Sequence, residues 1–111
     1  MSTIKNLKLK ALPISEDDIK HQVKDYLDLR RYFHFPLTAG MGSYSGLPDR
    51  IAIKNGKVYF IECKKPVGWK QSYDQIKFQE NIENEKGNYI LVKCLEDLIK
   101  GLGGGEEDGI I

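Results

Sequence analysis

Three residues near the middle of the chain have side chains that suit metal chemistry. Asp49 and Glu62 are carboxylates, and Lys64 follows Glu62 by two positions. Carboxylate oxygens suit Mg²⁺ or Mn²⁺, and Mg²⁺ commonly takes only one or two carboxylates while it keeps several waters. A lysine beside such an ion is a basic partner for a bound water. These residue types therefore indicate a divalent-metal site, provided that the fold brings them together.

An Asn-Gly dipeptide between Asp49 and Glu62 predicts how the chain joins them. Asn55-Gly56 is a strong signal for a β-hairpin, because a type I′ turn needs positive φ at both central residues. Apolar, β-prone runs flank the dipeptide on both sides. Pairing the strands outward from this two-residue turn places Asp49 directly opposite Glu62.

Opposed carboxylates on a hairpin need a reason to remain together. Directly opposed Cβ atoms lie roughly 4.5–5.5 Å apart, and like charges there destabilise a sheet. A bound cation would reverse that effect. Period-two alternation puts Lys64 on the same face as Glu62. Two alternatives are a strand-entry Asp49 beside a solvated Glu62–Lys64 ion pair, and a one-residue bulge that offsets Asp49 from Glu62.

A helix is predicted to begin after Ser15. Ser15 is a good N-cap, and Asp18 lies three residues later, in the position of a capping box. Residues at helical spacing then define one buried face, namely Ile19, Val23, Tyr26, Leu27 and Arg30. Glu16 projects from the start of that face. By itself, an acid in a first turn indicates only a favourable interaction with the helix dipole.

A second helix is predicted to begin after Ser72. Ser72 and Gln75 have the spacing of a capping box, which is a sufficient structural reason for Gln75. Gln71, Gln75 and Gln79 nevertheless share one helix face. The residues predicted to supply part of the packing face are Tyr73, Ile76 and Ile82.

A glycine-rich loop precedes Pro48-Asp49. It spans 37–46 and contains Ser43, Tyr44 and Ser45. Such a loop allows phosphate to approach the backbone closely, so we predict that these three residues contact the phosphates of a nucleic acid. The loop lacks the lysine of a nucleoside-triphosphate loop, and a plain surface connection is the alternative.

A basic loop follows Lys64. It contains Lys65, Trp69 and Lys70. Lysines beside an aromatic ring offer charge for phosphate and a face for stacking, which predicts a second contact with nucleic acid. Trp69 is equally expected to cover the edge of the core.

Length and composition predict one domain over residues 1–111. Charged residues make up 30% and hydrophobic residues 41%, as in ordinary globular chains. The net charge is only +1, so phosphate affinity must come from local clusters of charge. Residues 1–13 are predicted to be an extended basic arm, and residues 103–111 a flexible acidic tail.

Cysteine usage and hydropathy predict a cytoplasmic protein. Cys63 and Cys94 fall in predicted strands, where reduced thiols pack as small apolar groups. The sequence has no apolar run of membrane-spanning length and no signal-peptide pattern. We therefore expect no membrane partner. A small-molecule cofactor is likewise not expected.

The predicted elements run α-β-β-β-α-β-α, which gives an α/β fold with a mixed central sheet flanked by helices. Within this order, Gly46-Leu47-Pro48-Asp49, the hairpin and Glu62-Cys63-Lys64 resemble the signature of the PD-(D/E)xK nuclease superfamily. The match is specifically to its VRR-NUC branch, in the stand-alone form of phages and bacteria. The resemblance covers about residues 14–100 and implies a restriction-endonuclease-like core.

The resemblance implies metal-dependent hydrolysis of DNA phosphodiester bonds. Mg²⁺, or Mn²⁺ in its place, would be held by Asp49, Glu62, the main-chain carbonyl of Cys63 and, from the first helix, Glu16. Lys64 would orient or deprotonate the attacking water, or offset charge on the phosphate. Gln75 would help to position the water or the phosphate, and Gln79 is a further candidate.

The resemblance also implies a homodimer that acts on branched DNA such as four-way (Holliday) junctions. A two-fold pair of sites suits a junction with two scissile strands. The arm and the tail are the segments expected to cross between protomers. The alternative function is a non-catalytic DNA-binding or assembly module that retains the nuclease fold; the presence of Asp49, Glu62 and Lys64 together favours the nuclease.

Overall fold

The computed structural model describes residues 14–104 as a mixed α/β domain with three helices and one four-stranded sheet. In chain order the elements are α1 (Glu16–Leu29), β1 (Phe33–Pro36), β2 (Arg50–Lys54), β3 (Lys57–Cys63), α2 (Tyr73–Asn84), β4 (Asn88–Val92) and α3 (Leu95–Gly101). The predicted α/β class, with a mixed sheet and flanking helices, is confirmed. Within residues 14–104, none of the helices has the length and apolar character needed to cross a membrane.

The ends of the described segment bear on the predicted arm and tail. The arm at 1–13 lies outside the described residues, as do positions 105–111 of the tail. Gly103 and Gly104 belong to the end of α3 instead, because their amides donate to the carbonyls of Lys100 at 3.1 Å and Ile99 at 2.7 Å. This is a Schellman turn, and Gly103 has the positive φ of 107° that such a turn requires.

The sheet has the order β1-β2-β3-β4, with antiparallel pairs except between β3 and β4, which are parallel. The hairpin register is the predicted one, from Lys54–Lys57 beside the turn to Arg50–Ile61. Asn55 and Gly56 have φ values of 52° and 81°, as a type I′ turn requires. Since β3 and β4 are parallel, α2 forms the crossover between them.

The ladder ends one residue before the predicted Asp49–Glu62 pair. The amide of Asp49 donates to the carbonyl of Ile61 at 3.0 Å, although Ile61 is the partner of Arg50. This one-residue shift is the bulge-like alternative, and the prediction of direct opposition is wrong. Its cause lies in the side chain: an Asp49 carboxylate oxygen accepts the amide of Cys63 at 2.6 Å, so it replaces a main-chain acceptor at the strand end.

Helices α1 and α3 cover one face of the sheet. The predicted face of α1 is confirmed for Ile19, Val23 and Leu27, which are buried, and for Tyr26, which packs against them and is partly buried. Arg30, at the end of the helix, is half-buried. The residues that complete this core from the sheet and from α3 include Tyr32, Ala52, Tyr59, Ile61, Cys63, Ile90, Val92, Leu98 and Leu102. Every second residue of β3 therefore points toward α1 and α3, while Phe60 and Glu62 point toward the opposite face.

Helix α2 covers that opposite face through Phe78, which was not among the predicted packing residues. Phe78 is buried and contacts the rings of Phe60 and Tyr89, with centroids 5.5 and 6.3 Å away. Tyr73 and Ile76 are exposed, so their prediction as packing residues is wrong. The reason is that α2 docks through the side that also carries its glutamines.

The loop before Asp49 is held against the first turn of α2. Gly46 has φ of 83°, and a Cβ there would lie 2.2 Å from the carbonyl oxygen of Asp74. Only glycine allows this close approach of two backbone segments. The contact fixes the entry of Pro48-Asp49 relative to the start of α2.

Replacing Gly46 by alanine should therefore destabilise the protein more than the same change at Gly42. Both glycines have nearly equal positive φ, 83° and 86°, so both variants incur a backbone cost of about 1–2 kcal/mol. No described atom lies within 4 Å of a Cβ built at Gly42, whereas Gly46→Ala adds a steric cost of about 1–3 kcal/mol. Urea unfolding of the two variants measures the difference, and equal losses would contradict the packing of Gly46 on α2.

Candidate metal centre

The candidate site lies where β3 ends and where the first turns of α1 and α2 approach the sheet. Glu62, Cys63 and Lys64 are consecutive there, and β3 alternation sends Glu62 toward α2 and Cys63 into the core. Asp49 reaches the same place from the start of β2, since its carboxylate accepts the Cys63 amide. The structure thus brings the predicted residues Asp49, Glu62 and Lys64 to one end of the hairpin.

Glu62 is a buried carboxylate with only one of its oxygens paired. The residue is 2% exposed. Its Oε2 accepts a hydrogen bond from Gln75 Nε2 at 2.9 Å and lies 3.1 Å from Lys64 Nζ. Its Oε1 is buried and has no hydrogen-bond partner among residues 14–104. Leaving a buried acceptor unsatisfied is costly, so this oxygen is suited to a ligand such as a cation.

The environment of Glu62 disfavours its ionised form. Burial raises the pKa of this carboxyl to about 7, and the nearby Asp49 charge adds to the increase, whereas Lys64 opposes it. Near neutral pH, a proton and a cation would therefore compete for Glu62.

Asp49 is held by one main-chain and one side-chain donor. Its Oδ2 accepts the Cys63 amide, and its Oδ1 lies 3.5 Å from Lys20 Nζ. Burial opposes the charge on Lys20, but Asp49 and Glu16 outweigh burial and raise the pKa of Lys20. Lys20 was not among the predicted site residues, although its i,i+4 spacing from Glu16 on the same helix was an available signal.

Glu16 reaches the site through Lys20. Its carboxylate lies 3.4 Å from Lys20 Nζ and is 42% exposed. Of the three acids in the first turn of α1, Asp17 and Asp18 are exposed, and Asp18 accepts the Ser15 amide in the capping box. Glu16 is therefore the acid of this turn that faces Asp49, and its assignment as a metal ligand stays a prediction.

Gln75 serves the helix cap and the site with one side chain. Its Oε1 accepts from the Ser72 amide at 2.9 Å and from Lys64 Nζ at 3.1 Å, while its Nε2 donates to Glu62. The capping box thus fixes the amide group that aligns Glu62 with Lys64. Lys64 itself is largely buried, with 12% of its side chain exposed.

The other two glutamines do not meet the carboxylates. Gln71 Nε2 donates to Gln79 Oε1 at 3.0 Å and lies 3.4 Å from the Tyr89 hydroxyl. Gln79 Nε2 in turn donates to Glu83 at 3.1 Å. These contacts tie α2 to β4, so the structure gives Gln79 no contact with the site.

The glycine-rich loop packs over α2. The Ser43 hydroxyl closes a turn by donating to the Gly40 carbonyl at 2.8 Å. Tyr44 remains 60% exposed, with its ring 5.8 Å from that of Phe78, and Ser45 is exposed. The predicted contact of Ser43, Tyr44 and Ser45 with DNA stays a prediction.

The basic loop after Lys64 is exposed beside the site. Lys65 and Lys70 are exposed, and Trp69 is 38% exposed. Lys93 Nζ lies 5.2 Å from the centroid of the Trp69 ring, a cation–π contact that holds the ring on the surface. The arrangement leaves the two lysines accessible to phosphate.

The donor set at this site fits a hard divalent cation held by few protein ligands. Within residues 14–104, no group of three or more His, Cys, Asp or Glu side chains is arranged to hold a metal. The Cys63 side chain packs in the core between the sheet and α1, so its thiol points away from the carboxylates, and burial raises the pKa of this thiol to about 12. The available set is Asp49, Glu62 and the Cys63 carbonyl, and the unpartnered Oε1 of Glu62 matches an oxygen-preferring ion.

Comparisons with known proteins do not assign this chain to a family. No protein-family model matches it, and no curated protein matches it with significant similarity. Any functional assignment therefore depends on the geometry of the site and on the residue pattern itself.

The raised pKa of Glu62 makes a directional prediction about stability in metal-free buffer. The folded and unfolded states are both protonated at Glu62 below pH 4.5 and both ionised above about pH 7. Between these values the folded state binds more protons, so stability falls as pH rises through this window. Glu62→Gln, which resembles the protonated acid, should stabilise the protein by about 1–3 kcal/mol at pH 8 and have little effect at pH 5.

Urea unfolding in EDTA at the two pH values measures this difference. The exposed Glu80 is the matched control, and Glu80→Gln should leave the free energy of unfolding nearly unchanged at both pH values. A loss of stability in Glu62→Gln at pH 8 would mean that the ionised carboxylate is a structural requirement.

Proposed function

We propose that the protein is a metal-dependent endonuclease that hydrolyses DNA phosphodiester bonds. The observation that carries the proposal is the buried, unpartnered Oε1 of Glu62 beside a second carboxylate, Asp49, and an aligned ammonium, Lys64. The residue pattern supports it through its resemblance to the VRR-NUC branch of the PD-(D/E)xK superfamily. The finer fold assignment, a restriction-endonuclease-like core, belongs to the same proposal.

The ligands proposed for the metal are Asp49, Glu62 and the main-chain carbonyl of Cys63, with Glu16 as a further candidate. When bound there, Mg²⁺ or Mn²⁺ would supply Lewis-acid charge and lower the pKa of a water. A cation also relieves the repulsion between Asp49 and Glu62, which is one cause of the raised pKa of Glu62. The repulsion that destabilises the metal-free protein would thus favour binding of the metal.

Lys64 and Gln75 are proposed to act on the water and the phosphate. The Lys64 ammonium is held 3.1 Å from both Glu62 Oε2 and Gln75 Oε1, so it stays beside the metal ligands without being one. From there it can orient or deprotonate the attacking water, or offset negative charge on the phosphate. Because the cap at Ser72 fixes Gln75, little reorganisation is needed when substrate binds.

The proposed partner is DNA, bound through positively charged residues close to the site. The net charge of +1 provides little long-range attraction, so the exposed Lys65 and Lys70 would contact phosphates next to the site. Trp69 between them, and Tyr44 on the glycine-rich loop, offer faces for stacking on bases.

The proposal is tested by incubating DNA with the protein in Mg²⁺ or in EDTA. We expect cleavage in Mg²⁺ alone, and Asp49→Asn and Lys64→Ala should each reduce it by about 10²–10⁴-fold. Calorimetry separates their roles, since Asp49→Asn should lose Mg²⁺ or Mn²⁺ binding and Lys64→Ala should retain it. Asp25→Asn, which neutralises an exposed acid on α1, is the control and should cleave normally.

Two outcomes would count against these roles. Folded wild-type protein that cleaves no DNA in Mg²⁺ would favour the non-catalytic binding or assembly module. Loss of metal binding in Lys64→Ala would contradict the proposal that the ammonium acts on water or phosphate.

The substrate and assembly proposed are branched DNA and a homodimer. Within the described residues, β1 is an edge strand with two exposed rings, Phe33 and Phe35, which a second copy of the chain could cover. We expect a dimer in sedimentation at micromolar concentration, and cleavage of four-way junctions at least several-fold faster than of linear duplex. A monomer that cuts both substrates equally would refute this assembly and leave the nuclease proposal standing.

A further inference from the structure

Arg50 directly follows the proposed metal ligand Asp49 in the sequence. Its side chain takes part in a series of hydrogen bonds on the α1 side of the sheet. Its Nη1 lies 2.8 Å from His34 Nδ1, on the neighbouring strand β1. His34 Nε2 lies 2.6 Å from Asp28 Oδ1, on α1. These hydrogen bonds therefore join three elements of the fold, α1, β1 and β2. They end at the guanidinium of the residue next to a proposed metal ligand.

The chemistry of these three side chains fixes the direction of both hydrogen bonds. A guanidinium has donors and no acceptor, so His34 Nδ1 must accept from Arg50 and carries no proton. Nε2 then carries the ring proton and donates it to Asp28. His34, whose side chain is 7% exposed, is thus a neutral tautomer that sets the position of Arg50.

The guanidinium of Arg50 has one hydrogen-bond partner among the described residues. Its hydrogen-bond partner is a neutral imidazole, and among residues 14–104 no carboxylate lies within ion-pair distance of its guanidinium. Because Arg50 uses only one of its N–H donors to bond to His34, its other donors can bind a ligand. The planar guanidinium matches the oxygens of a phosphate group.

A cavity lies next to Arg50. It has a volume of about 130 Å³ and is lined by Lys20, Pro36, Asp49, Arg50 and Cys63. One water needs only about 10–15 Å³ by this kind of measure, so the cavity accepts a larger group. Of these five residues, Lys20 and Arg50 are cations and Asp49 is an acid. The Asp49 carboxylate lies 3.5 Å from Lys20 Nζ, so it already has one of the two cations as a partner.

We propose that this cavity binds a phosphodiester group of the DNA strand, with Arg50 as the contacting residue and Lys20 as the second cation. The inference rests on the proposed function for the identity of the ligand. Asp28 and His34 are positioning residues, since they act on the phosphate only through Arg50. The subsite lies on the α1 side of Asp49, whereas Lys64 and Gln75 lie on the α2 side.

The test measures DNA affinity against salt concentration in EDTA, where no cleavage occurs. A fluorescein-labelled duplex and a labelled four-way junction are the probes. Each phosphate contact contributes close to one unit to the slope of log affinity against log salt. Arg50→Gln keeps a donor for His34 but removes the charge, so it should lower the slope by about one and weaken binding about tenfold at low salt.

Two matched variants separate a phosphate contact from other effects. Lys100→Gln removes one positive charge from an exposed residue of α3 and should leave the slope unchanged. Arg50→Lys keeps the charge without the planar fork, and it should restore the slope with lower affinity than the wild type. Urea unfolding of each variant shows whether the fold is intact.

The positioning role has a test in which the sign of the effect decides. Asp28→Asn makes the protein more positive, so general electrostatics predicts tighter DNA binding, as expected for the control Asp25→Asn on the same helix. If Asp28 acts through His34 and Arg50, Asp28→Asn should instead bind several-fold more weakly. That loss should disappear when Arg50→Gln is already present, because the two residues then no longer act together.

Clear results would overturn the inference. An unchanged salt slope in folded Arg50→Gln, or an equal gain in affinity for Asp28→Asn and Asp25→Asn, would refute it, as would the absence of DNA binding by the wild type. Failure of the nuclease proposal is distinguishable: DNA would then be bound with the expected Arg50 dependence but would not be cut in Mg²⁺.

Discussion

Burying the Glu62 carboxylate is the constraint on which the arrangement of this site depends. A carboxylate in such a place is costly unless donors surround it. One oxygen has two donors, Lys64 and Gln75, and the other has none within the described residues. The proximity of Asp49 adds to the cost, so the free protein holds two carboxylates in a place that a cation would stabilise.

The pleat of β3 directs consecutive residues at this site toward two different helices. Glu62 points toward α2, where a helix cap supplies Gln75, and Cys63 points into the core beneath α1. Asp49 joins the two sides, because it accepts the Cys63 amide and also contacts Lys20 on α1. Local devices that begin helices and end strands therefore also set the geometry of the site.

Several features were predictable because they depend on residues close in sequence. The Asn55-Gly56 turn sets the hairpin register, and the capping boxes at Ser15 and Ser72 begin α1 and α2 where expected. The hydrophobic spacing of α1 likewise identified its buried face. From these features alone, the sequence placed Asp49, Glu62 and Lys64 at one end of one hairpin.

Tertiary packing determined the rest, because contacts between distant segments have no local signal. The docking of α2 through Phe78 turned its glutamine face toward the sheet. The pairing of Asp49 is shifted by one residue, because its side chain accepts the Cys63 amide. Lys20 and the chain from Asp28 through His34 to Arg50 join elements that only the fold brings together. Sequence by itself determined which residues could do chemistry near the hairpin, and the packing of two helices on the sheet determined their partners, since burial and charge depend on all the segments that surround a group.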